Sequence, residues 1–430
     1  MPPDHLPDFM PGPGAMLFNS FEYLLVFLPL VAFVYFLLNR RVSAAAGKVW
    51  LVAASLFFYG WWSLSYLWLI GGSMLFNYIM ASWLGQLHSS RARAVLSVAI
   101  IGNLALLAYY KYADFFISNV NPFLDTPMTL LHLALPLGIS FFTFTQIAFL
   151  VDVHRGNARE YSLTHYFLFV TYFPHLIAGP IMHHKEMMPQ FASSAAQTVD
   201  WKNIYLGLFI IAIGLIKKSV LADSLAIGAN EGFSSTAPLA FDQAWMTSLS
   251  YTLQLYFDFS GYTDMAIGAS LIFNIQLPAN FNSPYKAINI RDFWQRWHIT
   301  LSRWLRDYLY IPLGGNRYGM AHSFAALIIT FLLGGLWHGP SWTFIVWGLM
   351  HGCAAVLHRI WQQYNFRLPI FAGWLITFIF VNAAWVFFRA DDIATAVNIL
   401  KSMLGVHGFA AATDFAALIK SAADIAVWNP

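Results

Sequence analysis

Charged residues are scarce in this chain of 430 residues: Asp, Glu, Lys and Arg make up 10% of it, against about 25% in an ordinary soluble domain. Hydrophobic residues reach 59%. A soluble protein of this size could not bury so much apolar surface, so soluble enzymes and disordered proteins are excluded and an integral membrane protein remains. The formal charge of +3 is too small to indicate a nucleic-acid partner.

Cysteine is nearly absent, and several catalytic motifs are missing. The single cysteine, Cys353, excludes an internal disulfide and a zinc site built from cysteines. The sequence has no HExxH, no GxSxG, no GxxxxGK[ST] and no GxGxxG that opens a helix. These absences disfavour a metalloprotease, an esterase-type serine hydrolase and a nucleotide-driven pump, and we predict no metal site.

Long apolar runs predict an all-α, polytopic transmembrane protein. The first run is Leu17 to Leu38, and the others cover roughly residues 49–84, 94–120, 128–151, 163–182, 203–223, 245–275, 323–360 and 368–389. Because about 20 apolar residues cross a bilayer, several runs hold more than one crossing. We expect about ten spanning helices with additional re-entrant and interfacial amphipathic helices. Residues 1–15, which include five prolines, are expected to be a disordered extension, and residues 16–430 to form one membrane-embedded domain.

Basic residues suggest how the first helices are oriented. Arg40, Arg41 and Lys48 follow the first apolar run, and Arg91 and Arg93 follow the third predicted crossing. Two crossings separate these clusters, so both lie on one side, which the positive-inside rule makes cytoplasmic. The N-terminus is then expected outside.

The segment from Ile290 to Pro312, IRDFWQRWHITLSRWLRDYLYIP, predicts one amphipathic helix. Its polar stripe consists of Arg291, Gln295, His298, Ser302 and Arg306. Two pairs at i,i+4 spacing carry opposite charges: Asp292 with Arg296, and Arg303 with Asp307. So many charges place the helix at an interface or along a wet cavity. It is either an anchor without chemistry or a functional element that presents His298 from the middle of the helix.

A second histidine lies at a predicted helix break. The apolar run before His338 begins at Phe324 and is too short to cross a bilayer, and Gly339 and Pro340 then interrupt the helix. Broken backbone at membrane depth is tolerated only inside protein or beside water. His338 is therefore a functional candidate, although a structural histidine bonded to a freed carbonyl is also possible. His351, near the end of the next helix, is interpreted as structural.

Two carboxylates, Asp258 and Asp264, lie in the apolar segment YFDFSGYTDMAIG. They could bind a cation, relay protons or pair with an arginine of the Arg291–Arg306 helix, and the ion pair is the favoured interpretation. Prolines in FPH and AGP suggest a re-entrant piece near residue 180. The adjacent His183 and His184 should point to different faces and make a poor metal pair. From the residues alone, a transporter and an intramembrane transferase stay equally open.

The same stretches resemble the membrane-bound O-acyltransferase family, and more closely its bacterial alginate O-acetylase branch. The resemblance is carried by RDFWQRWHITLSRWLRDYLYIPLGGNR (291–317), GGLWHGPSWTFIVWGLMHG (334–352), LPLGISFFTFTQIAFLVDVHRG (135–156), YFPHLIAGPI (172–181) and YFDFSGYTDMAIG (256–268). These motifs follow the family's order, and the similarity covers roughly residues 16–405. Members of this branch commonly continue beyond the position of Pro430.

The resemblance implies an O-acetyltransferase of the bacterial inner membrane. The family's invariant histidine falls on His338 and its second conserved position on His298. His338 is implied to be the general base, while His298 positions or polarises the acyl carbonyl or shares a proton relay; Asp258, Asp264, Arg291 and Arg306 are supporting candidates.

The resemblance also implies the other reactants. The donor is expected to be acetyl-CoA or another cytoplasmic acyl thioester, with no tightly bound cofactor. The acceptor is an exported or cell-surface polysaccharide, alginate-like or peptidoglycan, reached directly or through a periplasmic acetyltransferase-like partner. D-alanyl transfer to teichoic acid-type polymers and proton-coupled transport are the alternatives.

Overall fold

The computed structural model describes residues 16–87, 89–158, 162–177, 179–364, 366 and 368–410, and the predicted extension at residues 1–15 lies outside them. This described part is largely helical and contains no strand, so the all-α prediction is confirmed. The helices that carry the first half of the chain are α1 (Leu28–Arg41), α2 (Ala44–Trp62), α3 (Ser65–Leu84), α4 (Ser89–Val120), α5 (Ile139–His154), α6 (Leu163–Thr171), α7 (Phe173–Leu176) and α8 (His184–Ala192). The others are α9 (Trp201–Leu215), α10 (Asp223–Phe233), α11 (Phe241–Ile272), α12 (Ile290–Arg296), α13 (Ile299–Leu305), α14 (Met320–His338), α15 (Trp342–Gln363), α16 (Ile370–Arg389) and α17 (Ile393–Met403).

Fewer helices can cross a membrane than the sequence suggests. In the described residues, eight are long and apolar enough: Glu22–Arg41, Ala44–Trp62, Ser65–Leu84, Ser90–Phe123, Trp201–Phe233, Met320–His338, Trp342–Gln363 and Ile370–Arg389. The described residues therefore hold fewer candidate crossings than the predicted number of about ten, because an apolar run need not form a helix long enough to cross. The run at 128–151 yields only the 16-residue α5. The run at 163–182 is divided between the short helices α6 and α7.

Two helix crossings, α2 and α3, bring the two predicted basic clusters to one end of the molecule. Helix α1 ends at Arg41, α2 and α3 form a hairpin through Ser63 and Leu64, and α4 begins at Ser89. The positions of Arg40, Arg41 and Lys48 therefore match those of Arg91 and Arg93 at the same end. Which side of the membrane this end faces stays a prediction.

A polar cluster fixes α5 against its neighbours. Asn77 of α3 donates to Asn103 of α4 and to Gln146 of α5, both at 3.0 Å, and all three side chains are buried. Tyr166 of α6 donates to the same Gln146 oxygen at 3.0 Å. Hydrogen bonds between amide side chains hold transmembrane helices together where the hydrophobic effect cannot. The opposite face of α5 is thereby held in place for Trp304 of α13, which stacks on Phe144 with 3.8 Å between ring centroids.

Helices α14 and α15 approach each other closely at a pair of glycines. A Cβ atom at Gly335 would collide with the carbonyl oxygen of Phe344, and one at Gly348 would collide with that of Phe331. Small residues allow this backbone contact between membrane helices. The hairpin therefore holds the end of α14, which carries His338, directly against α15.

Candidate active site

His338 lies at the predicted helix break. Helix α14 ends at His338, Gly339 is extended with φ of −169° and ψ of 159°, and α15 begins at Trp342 with Ser341 as its N-cap. The local sequence explains the break, because Pro340 lacks an amide donor and disfavours helix at the residue before it. The prediction of a break beside His338 is confirmed. The prediction that the run before it is too short to cross a bilayer is wrong, because α14 begins at Met320 and its 19 residues are enough.

Two side chains of α4 cap the broken end of α14. The ammonium group of Lys111 donates to the carbonyl oxygens of Trp337 and His338, at 2.8 and 3.1 Å, and Tyr112 donates to that of Leu336 at 2.7 Å. The last carbonyls of a helix have no partner within the helix, and leaving them unpaired in an apolar region is costly. Sequence analysis missed both residues, although a lysine inside the apolar run 94–120 was a signal.

His298 does not lie in the middle of one helix, so the prediction of a continuous helix from Ile290 to Pro312 is wrong. Helix α12 ends at Arg296, Trp297 is extended, and His298 adopts the left-handed conformation with φ of 42° and ψ of 55° before α13 begins. The segment ends in a π-helical turn from Arg306 to Tyr310. The break is stable because Ile299 donates its backbone N–H to the carbonyl of Asn280 at 2.9 Å, in place of a helical acceptor.

Asn280 also fixes the ring of His298. Its side-chain oxygen accepts from the Thr300 backbone N–H at 3.2 Å and from the Thr300 hydroxyl at 2.9 Å, and it lies 3.2 Å from Nδ1 of His298. A backbone N–H can only donate, so the atom facing it must be the amide oxygen. Nδ1 of neutral His298 therefore carries the proton, and Nε2 carries the lone pair.

The two histidines meet at one indole ring. Trp337 lies 6.5 Å from His298 and 4.9 Å from His338, measured between ring centroids. Nε2 of His298, Nδ1 of His338 and Nε1 of Trp337 are buried and have no hydrogen-bond partner among the described residues. Buried polar atoms are normally paired. These three nitrogens, one from the indole and one from each histidine, are therefore available to form hydrogen bonds with a substrate.

Aromatic rings pack around the imidazole of His338. Trp347 and Phe388 lie 5.1 and 4.9 Å from its ring centroid. His351 packs behind this group, where Trp294 donates to its Nδ1 at 3.2 Å. These contacts agree with the structural interpretation of His351.

Asp258 and Asp264 are ion-paired, as favoured, but the predicted arginine partners are wrong. Asp258 lies 2.8 Å from the ammonium nitrogen of Lys218, and Asp264 lies 2.6 Å from that of Lys217. The lysines belong to a π-helical turn, Ile216–Ala222, that packs against α11. This turn aligns two consecutive lysines with two carboxylates of the neighbouring helix. The partners of the carboxylates are therefore these lysines and not Arg291 or Arg306.

Of the two charge pairs predicted in the amphipathic segment, one is present and the other is not. Arg296 bonds Asp292 at 2.7 Å, as expected at i,i+4 spacing. Arg303 instead makes two bonds to Glu186 of α8, at 2.8 and 2.9 Å. The π-helical turn after α13 changes the spacing, and Asp307 pairs with Arg306 at 2.7 Å. Arg291 and Arg306 line a cavity between α12, α14 and α15.

His183 and His184 face different neighbours, as predicted. His183 lies 2.8 Å from the Tyr308 hydroxyl, which donates to Asp152 at 2.8 Å, whereas His184 packs against Phe149. Burial and the Asp152 carboxylate raise the pKa of Tyr308, so its hydroxyl stays protonated. Within the described ranges no three His, Cys, Asp or Glu side chains could together hold a metal ion.

Comparisons with known proteins agree with this geometry. The model of the membrane-bound O-acyltransferase family matches residues 94–390, which include both histidines. The chain is 50% identical to the peptidoglycan O-acetyltransferase of Helicobacter pylori, over 91% of this chain and 80% of that protein. It is 39% identical to a protein of Pseudomonas aeruginosa named "Probable alginate O-acetylase", over 90% of this chain and 75% of that protein. A teichoic acid D-alanyltransferase of Bacillus subtilis is 30% identical over 58% of this chain and 66% of that protein.

Proposed function

The chain belongs to the membrane-bound O-acyltransferase family and is an acyltransferase, and we propose that it transfers acetyl groups from a cytoplasmic thioester toward a cell-surface polysaccharide. Peptidoglycan is the favoured acceptor because the relative of that name is 50% identical, and alginate-like polymers come second at 39%. Acetyl-CoA is the favoured donor. The protein would lie in the bacterial inner membrane, with a periplasmic acetyltransferase-like partner that completes delivery.

The observation that carries this proposal is the group of three ring nitrogens, from His298, Trp337 and His338, that have no hydrogen-bond partner among the described residues. In the proposed reaction the acceptor hydroxyl gives its proton to His338 while its oxygen attacks the thioester carbonyl carbon. The carbon–sulfur bond then breaks, and the proton passes to the leaving thiolate. An imidazole suits this transfer because its ordinary pKa lies near neutral pH.

The Asn280 contact narrows the part that His298 can play. With its proton on Nδ1, neutral His298 offers a lone pair at Nε2 and no donor there. This favours a proton acceptor that shares the relay with His338 over a group that polarises the acyl carbonyl. The aromatic rings around His338 would exclude water and so limit hydrolysis of the thioester.

D-alanyl transfer is a second candidate because a D-alanyltransferase also matches, at lower identity and over less of the chain. Proton-coupled transport is weaker, since the carboxylates of Asp258 and Asp264, which would belong to its proton path, are ion-paired with lysines. Measuring which ester is lost therefore separates the remaining candidates.

The test is His338→Ala in the native host, with His407→Ala as control because His407 is exposed and lies on another element. Loss of the base should lower acetyl ester on the isolated cell-wall or exported glycan by about 10²–10⁴-fold at equal protein level. Acetate and D-alanine released by mild alkali are measured together. Unchanged acetate in His338→Ala contradicts the proposal, and a selective loss of D-alanine replaces it with the second candidate.

A further inference from the structure

A cavity of about 510 Å³ separates α12 and α13 from α14 and α15, and it is lined by three arginines. Arg291 comes from α12, Arg306 from the turn after α13, and Arg359 from α15. Its other walls are largely apolar and include Leu305, Leu327 and Phe331. Neither the proposed reaction nor the ion pairs of Asp258 and Asp264 use this cavity.

The arginine charge in the cavity is poorly compensated. Arg359 donates to Tyr310, Ser323 and Asn316, which are all neutral acceptors. In the described part of the chain Arg291 has no hydrogen bond or ion pair, and only Arg306 has a carboxylate partner, Asp307. No carboxylate of the described residues lines the cavity. Three guanidinium groups beside one carboxylate favour an anion, and planar guanidinium groups match the geometry of a phosphate.

An apolar groove of about 990 Å³ continues from this cavity between α15 and α16. The two spaces share Ile290, His358 and Gln362 in their walls. Nε2 of His358 is buried and unpaired among the described residues, so another polar atom is available where they join. The ligand that fits both spaces is a phosphate attached to an apolar chain.

The cavity lies toward one end of the α14–α15 hairpin. Its walls include Leu327 and Phe331 from the middle of α14 and Gln362 from the end of α15, whereas Trp342 at the other end of this hairpin donates to Asn119 at 2.9 Å, near the end of α4. The cavity therefore lies toward the end where α4 begins, with Arg91 and Arg93. Lipid head groups lie at the ends of membrane-spanning helices, and basic pockets between transmembrane helices bind them.

We propose that this cavity binds the head-group phosphate of an anionic phospholipid through Arg291, Arg306 and Arg359, with an acyl chain in the groove between α15 and α16. The site does not include His298 or His338, and the proposal does not depend on acetyl transfer. A phosphate of the thioester donor is the other source of the same chemistry, so the experiment includes CoA.

The test measures lipid binding to delipidated, detergent-purified full chain by native mass spectrometry, with phosphatidylglycerol and phosphatidylcholine as probes. The wild type should bind phosphatidylglycerol and not phosphatidylcholine. The triple variant Arg291→Gln, Arg306→Gln, Arg359→Gln should bind about a hundredfold more weakly, at roughly fivefold for each basic side chain. The control Arg40→Gln, Arg41→Gln, Arg93→Gln removes equal charge outside the cavity and should bind like the wild type.

A variant that keeps Arg359 guards against misfolding, because Arg359 also holds Tyr310, Ser323 and Asn316. The double variant Arg291→Gln, Arg306→Gln should bind phosphatidylglycerol about 25-fold more weakly, at the same roughly fivefold for each basic side chain. Equal phosphatidylglycerol binding by the triple variant and its control overturns the proposal. A second result also overturns it: CoA displaces the lipid from the wild type, and CoA no longer binds to the triple variant. The cavity would then bind a phosphate of the thioester donor and not that of a phospholipid.

Discussion

Two breaks in helical structure carry the two histidines, and they are stabilised in different ways. At His338 the local sequence stops the helix, and the freed carbonyls are paired by Lys111 and Tyr112, more than 220 residues earlier in the chain. At His298 no glycine or proline intervenes, and the left-handed residue is held by Asn280, 18 residues earlier. The break at His338 is encoded by the local sequence, and distant residues are needed only to pair its freed carbonyls. The break at His298 has no such local signal, and its contact with Asn280 determines the backbone conformation.

The difference predicts how each site should respond to substitution. At the first break, removal of a partner should weaken the fold and leave the imidazole in place. At the second, the partner of the backbone is also the partner of the ring, so its removal should affect the chemistry as well. The following substitutions test this contrast.

The largest effect is expected for His298→Gln. Glutamine cannot accept the proton as imidazole does, so glycan acetylation should fall by about 10²–10⁴-fold while folded protein accumulates normally. The measurement is acetyl ester on the glycan together with the yield of monodisperse protein in detergent. If His298→Gln is both abundant and fully active, the segment is an interfacial anchor and only His338 remains as a catalytic candidate.

Trp304→Ala is the matched contrast to His298→Gln. Trp304 is buried, stacks on Phe144 and donates to its carbonyl at 3.1 Å, so truncation should cost roughly 3–5 kcal/mol of stability. Protein yield should fall, and activity per folded molecule should change little.

A smaller effect is expected for Asn280→Leu, which removes the oxygen that orients His298. Activity should fall about tenfold, because the free energy of one hydrogen bond corresponds to roughly that change in rate. Asn280→Asp keeps an acceptor and adds negative charge, which favours the imidazolium and raises the pKa of His298. A protonated ring cannot accept the substrate proton, so the acidic limb of the activity profile should move to higher pH.

Thr300→Val is the control for Asn280, because it removes one donor to the amide oxygen, together with the acceptor of the Ile181 backbone N–H, and leaves the His298 contact intact. Its activity should exceed that of Asn280→Leu, and its pH profile should match the wild type. Equal activities in Thr300→Val and Asn280→Leu, with no pH shift in Asn280→Asp, would show that Asn280 supports the fold alone.

The smallest effect is expected for Tyr112→Phe, which leaves the carbonyl of Leu336 without its donor while Lys111 keeps its two bonds. Stability should fall by about 1 kcal/mol, measured by thermal unfolding in detergent, with activity nearly unchanged. Tyr109→Phe on the exposed side of α4 should change neither. A large loss of activity without loss of stability would place Tyr112 in the reaction.

The parts of the fold that were predicted have local signals. The apolar runs, the break at Gly339 and Pro340, and the pairing of Asp292 with Arg296 all follow from neighbouring residues. The break at His298 could not be predicted, because a left-handed conformation is rare for residues other than glycine and depends here on a contact across the loop. The partners of Asp258 and Asp264 needed the packing of α11 against a π-helical turn, which no spacing rule gives.

The contact between Lys111 and the end of α14 has a consequence for synthesis of the protein. Helix α4 leaves the ribosome while the carbonyls that Lys111 finally holds are still 226 residues away. At about 5–20 residues per second, that interval is on the order of ten seconds or more. A lysine near the centre of a helix opposes insertion by about 2.5–3.5 kcal/mol, and the remaining apolar length of α4 must outweigh it. The composition of α4 alone therefore determines whether it enters the bilayer stably. The final position of its lysine is fixed only when α14 arrives.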